Sequence, residues 1–258
     1  MCLISMQLSQ HTSYKLMLVA NRDEQYDRPS LPAHFWLNHP NILAGKDLSE
    51  NGTWLGITKQ GRIAAVTNSY LTTDQESDKK LSRGKLVMDY LTGSMGPDEY
   101  LEQVRQQRTD YNGFNLIVGS SDSLHHYNNI LDEHSVLQTG NHAVSNATLD
   151  TPWPKVTRTK AAMAAMVNES VLDEEAIFRI MADRTPPPDD QLPDLPLDLP
   201  ILRAVSANFI QTERYGTRST TLILIDHSDQ VTFLERSYLP DGASNDIRFN
   251  FQLLAEKK

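Results

Sequence analysis

Short apolar runs, rather than long helical stripes, dominate the first part of the chain. Residues 2–8 and 14–20 are mostly apolar and are separated by a short polar segment, which predicts two strands joined as a hairpin. Residues 53–58 and 62–68 repeat this arrangement around Gln60-Gly61. The pattern therefore predicts antiparallel pairing from the start of the chain.

The later pattern adds two pairs of helices and two further groups of strands. Helical periodicity covers residues 86–91, 98–107, 156–168 and 174–183; strand-like runs cover residues 114–119, 124–128, 135–138, 143–146, 220–226, 231–236 and 247–254. This order lacks the regular alternation of a parallel sheet, and two helix pairs suit the outer faces of two stacked sheets. We expect an α+β fold, a four-layer αββα sandwich, in one domain spanning residues 1–258.

Residues 185–200 carry six of the thirteen prolines and four aspartates. Such a composition predicts neither a helix nor a central strand. Because strands resume afterwards, we interpret this segment as an extended surface excursion and not as a linker between domains.

Composition narrows the classes of function. The chain has 24 Lys and Arg against 33 Asp and Glu, a net charge of −9, which argues against binding to nucleic acid or anionic lipid. The single cysteine excludes an internal disulfide and a cysteine-based zinc site. No secretory signal is recognised, and apolar runs are far shorter than the ~20 residues of a membrane span. We therefore expect a cytoplasmic protein without an integral membrane segment.

Cys2 is the first candidate for chemistry. Removal of Met1 would place a thiol nucleophile and an α-amine base on one residue. The alternative is a small buried apolar side chain at the start of a strand. If residues 8 and 14 close the first hairpin, Cys2 lies opposite Ala20.

The polar quartet Asn21-Arg22-Asp23-Glu24 follows that position directly. Arg22 could lower the pKa of a neighbouring thiol, and Asp23 or Glu24 could hold an ammonium or a substrate amide. A charged turn with an internal salt bridge is the alternative, and it would contribute little at a surface.

Asn68 and Asn146 both stand at the ends of predicted strands. An asparagine amide is a neutral donor suited to a developing oxyanion, although asparagine is also common in turns. Both interpretations stay open from the residues alone.

A set of motifs in order along nearly the whole chain resembles the NRDE family, which includes the Transport and Golgi organisation proteins. The motifs are Met1-Cys2, Ala20-Asn21-Arg22-Asp23-Glu24, Arg28-Pro29, Phe35-Trp36, Gly52-Thr53-Trp54-Leu55-Gly56, Ala64-Ala65, Thr67-Asn68, Arg83-Gly84, Tyr111-Asn112-Gly113-Phe114-Asn115-Leu116, Ser145-Asn146-Ala147, Thr151-Pro152-Trp153, Tyr215-Gly216-Thr217-Arg218-Ser219-Thr220 and Glu235-Arg236-Ser237. The resemblance implies the αββα fold of N-terminal-nucleophile hydrolases.

The resemblance also implies roles for individual residues. Cys2 corresponds to the nucleophile of the related cysteine acylases, and the acidic residue of their second strand falls on Asp23 or Glu24. Their two asparagines fall on Asn68 and Asn146. Three pocket positions are also implied: the group's second-strand arginine falls on Asn21 or Arg22, a late supporting arginine falls on Arg218, and Trp54 is the third.

Two functions follow from the resemblance. The first is cytosolic binding and trafficking of haem, with transfer to haem-accepting proteins and iron contacted by Cys2, His34, His142 or by no strong ligand. The alternative is an amidase or acyltransferase acting on a small amide or acyl thioester through Cys2. No metal-ion site is predicted, because the adjacent histidines His125 and His126 would point to opposite faces of a strand.

Overall fold

The computed structural model describes residues 2–71, 80–169, 171–239 and 242–254. Within these ranges the strands are β1 Leu3–Leu8, β2 Tyr14–Gln25, β3 Ser30–Trp36, β4 His39–Asp47, β5 Leu55–Thr58, β6 Ile63–Asn68, β7 Phe114–Gly119, β8 Leu124–Asn128, β9 Glu133–Val136, β10 Gly140–Val144, β11 Tyr215–Asp226, β12 Gln230–Tyr238 and β13 Ser244–Gln252. The helices are α1 Arg83–Thr92, α2 Pro97–Gln106, α3 Pro154–Ala165, α4 Glu174–Met181 and α5 Leu199–Val205.

The strands form two antiparallel sheets. One has six strands in the order β10-β1-β2-β11-β12-β13, and the other has seven in the order β3-β4-β5-β6-β7-β8-β9. Helices α1 and α2 pack on the seven-stranded sheet, and α3 and α4 pack on the six-stranded sheet. This arrangement confirms the predicted αββα sandwich.

Three apolar layers hold these four layers of structure together. Even-numbered residues of β2, such as Leu18, face the other sheet and meet Ile57 and Ile117 there. Odd-numbered residues, such as Val19, face α3 and α4 and pack near Phe178. Because both faces of this part of β2 are covered, residues 16–20 are apolar at every position.

Strands β3 and β4 were not anticipated by the sequence pattern. β3 contains Pro32, which a strand tolerates because β3 lies at the edge of its sheet. Pro40 stands near the start of β4, and polar residues on both sides of it obscure the apolar run of residues 42–44. Local composition therefore concealed two strands that tertiary packing stabilises.

The predicted register of the first hairpin was wrong by two residues. Leu8 pairs with Leu16 and Leu3 pairs with Asn21, so paired numbers sum to 24. The chain turns through Ser9, which has a φ of 50° and whose N–H donates to the Lys15 carbonyl at 2.8 Å. Extrapolated one step, this register brings Cys2 beside Arg22 and not opposite Ala20.

The proline-rich segment differs from its prediction only at its end, where residues 199–200 enter a helix. Helix α5 begins at Leu199 and takes Pro200 into its first turn, where a missing N–H is tolerated. Before it, only a short 3-10 turn at Asp189–Gln191 interrupts the irregular chain. Among the described residues, no helix is long and apolar enough to cross a membrane.

Candidate functional site

Cys2 lies at the start of β1, next to the end of β2. The Asp23 N–H donates to the Cys2 sulfur at 3.5 Å, and the sulfur is 3.8 Å from the Asp23 carbonyl oxygen. The side chain is half-buried. Burial raises the pKa of the Cys2 thiol, and the Asp23 carboxylate acts in the same direction, so the neutral thiol is favoured near pH 7.

The carboxyl group of Asp23 is buried among groups from distant parts of the chain. Thr217, on the neighbouring strand β11, donates to its Oδ1 at 2.6 Å, and the Tyr215 hydroxyl donates to its backbone carbonyl at 3.0 Å. Burial raises the pKa of Asp23, while Lys155 and the Thr217 hydroxyl oppose that shift. Asp23 is therefore a buried acid held next to the thiol.

Lys155 is a member of this site that the sequence interpretation missed. It is 1% exposed, and its ammonium donates to the Val205 carbonyl at 3.0 Å. Burial lowers the pKa of Lys155, and the charges of Asp23 and Cys2 act against that shift. The helical spacing of Lys155, Thr159 and Met163 on α3 could have indicated that this lysine is on the buried face.

The two predicted asparagines lie close together near Cys2. The Asn146 amide donates to the Asn68 carbonyl oxygen at 2.9 Å, and the Asn68 amide donates to the Tyr70 hydroxyl at 3.2 Å. Ser145 connects them to the nucleophile candidate, since its hydroxyl lies 2.9 Å from both the Cys2 carbonyl oxygen and Asn146 Oδ1 and donates its one proton to either acceptor. Asn68 ends β6, whereas Asn146 lies two residues beyond the end of β10.

Arg22 points from β2 toward the other sheet. Its guanidinium lies over the Trp54 ring, 4.2 Å from the centroid, and 3.8 Å from an Asp47 carboxylate oxygen. The side chain is 5% exposed. Burial lowers the pKa of Arg22, with Glu24, Cys2 and Asp47 acting to raise it. Arg22 and Trp54 thus form a cationic and aromatic wall close to Cys2.

Two more arginines lie around the end of β2. Arg28 bonds Asp47 at 2.7 Å and lies 3.7 Å from Glu24. Arg218 donates to the backbone carbonyls of Gln25 at 2.7 Å and Arg28 at 3.2 Å. Glu24 is therefore part of a partly exposed ion-pair group, and Asp23 is the acidic residue next to the thiol.

Asn21 lies away from this group. Its amide donates to the carbonyls of Met181 and Asn208 at 2.9 and 2.8 Å, and its Oδ1 accepts from Thr220 at 2.6 Å. These bonds join β2 to α4 and the chain after α5. The alternation of strand side chains places Asn21 and Arg22 on opposite faces, so Arg22 is the one that lies near Cys2.

A buried polar network supports the asparagines from behind. Asn115 donates to the Ser145 and Ala147 carbonyls at 3.3 and 2.8 Å, and its Oδ1 accepts from Asn128 at 2.8 Å and contacts His126 at 2.9 Å. Burial lowers the pKa of His126 to about 4, so the ring is neutral. This network fixes the loop that carries Asn146.

The two histidines considered as iron ligands differ in their bonding. His142 contacts the Asp150 carboxylate through Nδ1 at 2.8 Å and the Gln138 carbonyl through Nε2 at 2.9 Å. Both partners are acceptors, so both nitrogens donate and neither presents a lone pair. His34 donates from Nδ1 to the Pro32 carbonyl at 2.8 Å, which places the lone pair on Nε2.

Comparison with solved structures defines the class of fold. Two variants of conjugated bile acid hydrolase from Clostridium perfringens superpose with TM-scores of 0.54 and 0.55 at 10% and 8% sequence identity. The alignments cover 98% and 100% of this chain and 97% and 99% of those chains. The fold is therefore that of the N-terminal-nucleophile hydrolases.

Sequence comparison defines the family. The family model described as Transport and Golgi organisation 2 matches residues 1–240. The Mus musculus Transport and Golgi organization 2 homolog is 39% identical over 249 residues, and the Homo sapiens homolog is 36% identical over 250 residues. Each alignment covers 90% of both chains. This chain belongs to the Transport and Golgi organisation 2 family.

Proposed function

We propose that this protein binds haem in the cytosol and transfers it to haem-accepting proteins, with the ligand held beside Cys2. The observation that carries this proposal is the juxtaposition of a half-buried thiol with the guanidinium of Arg22, which is stacked on Trp54. Haem presents an iron, a flat apolar ring and two carboxylates, for which these three groups are suitable partners.

Local charge supports an anionic ligand at this place. Arg22, Arg28 and Arg218 carry three positive charges, and Glu24 and Asp47 carry two negative charges, so the group has a net charge of 3 − 2 = +1. The whole chain has a net charge of −9. The carboxylates of haem would therefore meet a locally positive group on an acidic protein.

The state of the thiol suits a carrier that must release its cargo. Because burial raises the pKa of Cys2, binding to iron as a thiolate requires the loss of a proton that the free protein retains. This cost weakens the iron–sulfur bond and favours reversible binding. His34 is the second candidate ligand, whereas both nitrogens of His142 already donate hydrogen bonds.

A haemin titration tests the proposal. The apoprotein should give a saturable one-to-one change in absorbance, and the loaded protein should pass haem to a haem-free globin. Cys2→Ala and His34→Ala separate the two ligands, and each should alter the spectrum only if its side chain binds iron. The exposed His227 provides the control, since His227→Ala should change neither spectrum nor affinity. Absence of a saturable change in the wild-type protein would contradict haem binding.

A second candidate function is hydrolysis or transfer of an acyl group, favoured by the contact between the Cys2 thiol and the Asp23 N–H. In this reaction the Cys2 sulfur bonds to the carbonyl carbon of an amide or thioester, and its proton moves to the α-amine exposed by removal of Met1. The tetrahedral oxyanion would accept hydrogen bonds from Asn68 and Asn146. Its collapse breaks the C–N or C–S bond as the α-ammonium returns its proton to the leaving amine or thiol, and water then hydrolyses the thioester on Cys2 to release the acid and restore the thiol.

The pH dependence of turnover tests this second candidate. In this mechanism the α-amine accepts the thiol proton only when it is unprotonated, and burial disfavours the charged thiolate, so the rate should rise with pH through the neutral range. Cys2→Ser should retain the fold and lose amide or thioester turnover. Retention of Met1 in the mature protein, seen by intact mass, would exclude the α-amine as the base.

A further inference from the structure

Three potential metal ligands from different parts of the sequence lie close together at the β9 edge of the seven-stranded sheet. His125 is on β8, His134 is on the adjoining strand β9, and Asp98 is in the first turn of α2. His126 points inward to Asn115, so the neighbouring His125 points outward toward the helix. The sequence pattern drew attention to the adjacent pair His125 and His126, whereas the histidine that lies beside His125 is His134, nine residues further along the chain.

The donor atoms form a small triangle. His125 Nδ1 lies 3.1 Å from His134 Nε2 and 3.3 Å from Asp98 Oδ1, and His134 Nε2 lies 3.7 Å from Asp98 Oδ1. Tetrahedral zinc with ligand bonds near 2.0–2.1 Å separates its ligand atoms by about 3.3 Å. The three observed separations thus match the edges of one face of a zinc tetrahedron.

A hydroxyl beside His125 suits the tautomer that binds metal. Its Nε2 lies 3.1 Å from the Ser123 hydroxyl, so an Nε2–H that donates to Ser123 leaves the lone pair on Nδ1, toward the triangle. A tautomer fixed by an outer hydrogen bond is typical of histidine ligands.

We propose that Asp98, His125 and His134 bind one Zn²⁺ ion, with water in the fourth position. Two imidazole nitrogens favour zinc over calcium or magnesium, which prefer oxygen ligands. The His125 side chain is 5% exposed, and those of His134 and Asp98 are 38% and 76% exposed, so the ion enters from solvent and lies against the strands. The bound ion ties α2 to the β8–β9 hairpin. This site is separate from Cys2 and does not depend on the function proposed there.

The competing interpretation is a histidine pair that shares one proton without any metal. The two rings are nearly parallel, with an interplanar angle of 19° and centroids 5.3 Å apart, which a simple hydrogen-bonded pair also allows. A direct binding measurement separates the two cases, since a proton-sharing pair gives no saturable uptake of zinc.

Zinc titration by calorimetry, followed by cobalt absorption, tests the proposal after treatment of the protein with a chelator. The experiment uses Cys2→Ala as the parent, which removes the thiol as a competing ligand. The parent should bind one zinc ion, gain a higher midpoint of thermal unfolding, and give the intense visible bands of four-coordinate cobalt. His134→Asn and Asp98→Asn change exposed side chains and should fold, yet each should weaken binding at least tenfold.

Matched variants distinguish this site from surface binding. Ser123→Ala should weaken zinc binding about tenfold by releasing the His125 tautomer. His227→Asn and Asp190→Asn alter an exposed histidine and an exposed aspartate elsewhere and should leave binding unchanged. No saturable binding by the parent, or equal affinity in His134→Asn, would overturn the proposal.

Discussion

Among single residues, His142 has its protonation state set by its two partners. Asp150 and the Gln138 carbonyl both accept from its ring, so the ring is an imidazolium, and these bonds raise the pKa of His142 despite its partial burial. Burial opposes ionisation of Asp150, but bonds from His142, Lys160 and the Ala143 N–H outweigh it and lower its pKa to about 2. The cluster joins β10 to α3.

Asp150→Asn should reveal this charge pair through its pH dependence. His142 has a raised pKa, so its contribution is full below about pH 6.5 and is lost as pH rises through its folded pKa. Asp150 contributes above about pH 3.9 and is lost as pH falls toward 2. We expect the substitution to cost about 1–3 kcal/mol between these limits.

Urea unfolding from pH 3 to pH 9 measures this effect, with Asp190→Asn as the control for an exposed aspartate. The difference from wild type should shrink toward both ends of the range. A difference that stays constant with pH would show that the charge pair is not its source.

The candidate site shows which of its members could be brought together from the sequence alone. Cys2, Asp23 and Arg22 could be associated because a hairpin must bring the ends of β1 and β2 together. Lys155 could not be assigned in this way, because 132 residues (155 − 23) separate it from Asp23 and only the packing of α3 makes them neighbours. A buried lysine is also rare enough that composition favours an exposed one.

At the scale of elements, the approach of β4 to Trp54 shapes the wall beside Cys2. A Cβ added to Gly45 would lie 2.2 Å from Trp54 Cη2 and 2.5 Å from Cζ2. The ring that supports Arg22 therefore packs directly on the backbone of β4. Only glycine leaves room for it there.

Gly45→Ala should displace the Trp54 ring and cost about 1–3 kcal/mol of stability. Near-UV circular dichroism should report the moved ring, and chemical unfolding should report the loss. Gly96→Ala is the matched control, since its added Cβ meets nothing within 4 Å and should cost less than about 1 kcal/mol. An unchanged spectrum in Gly45→Ala would show that the ring does not rest on β4.

Helices and strands were predicted correctly where their hydrophobic periodicity was uninterrupted. The two helix pairs and most hairpins were recognised, because each presents either a continuous apolar run or a helical stripe. β3, β4 and α5 were missed because proline stands at or near their starts, where structure tolerates it and composition argues against it. The register of the first hairpin was predicted wrongly, because the chain turns through Ser9 and no local sequence pattern indicates the positive φ of that residue.

At the scale of the whole molecule, both sheets pack on one apolar layer that lies between them. It includes Leu18, which is 0% exposed and lies on the strand that also carries Arg22 and Asp23. Loss of packing there should loosen the pairing of the two sheets as well as the candidate site.

Leu18→Ala should lower the free energy of unfolding by about 2–5 kcal/mol, because it leaves a cavity between two packed sheets. Leu37→Ala makes the same chemical change at a side chain that is 96% exposed and should change stability by less than about 0.5 kcal/mol. Urea unfolding of the pair measures both. Equal effects would contradict a close-packed layer between the sheets.

The order of strands has a consequence for synthesis on the ribosome. Cys2 leaves the exit tunnel before β10 and β11, yet β1 is completed on one side only by β10, and β2 only by β11. Thr217, which holds the Asp23 carboxyl group, is translated more than 200 residues after Cys2. Until then the edge of β2 that pairs with β11 has no neighbouring strand. The site beside Cys2 is thus completed only when β11 emerges, and a nascent chain that ends before Thr217 lacks the hydroxyl that bonds the Asp23 carboxyl group.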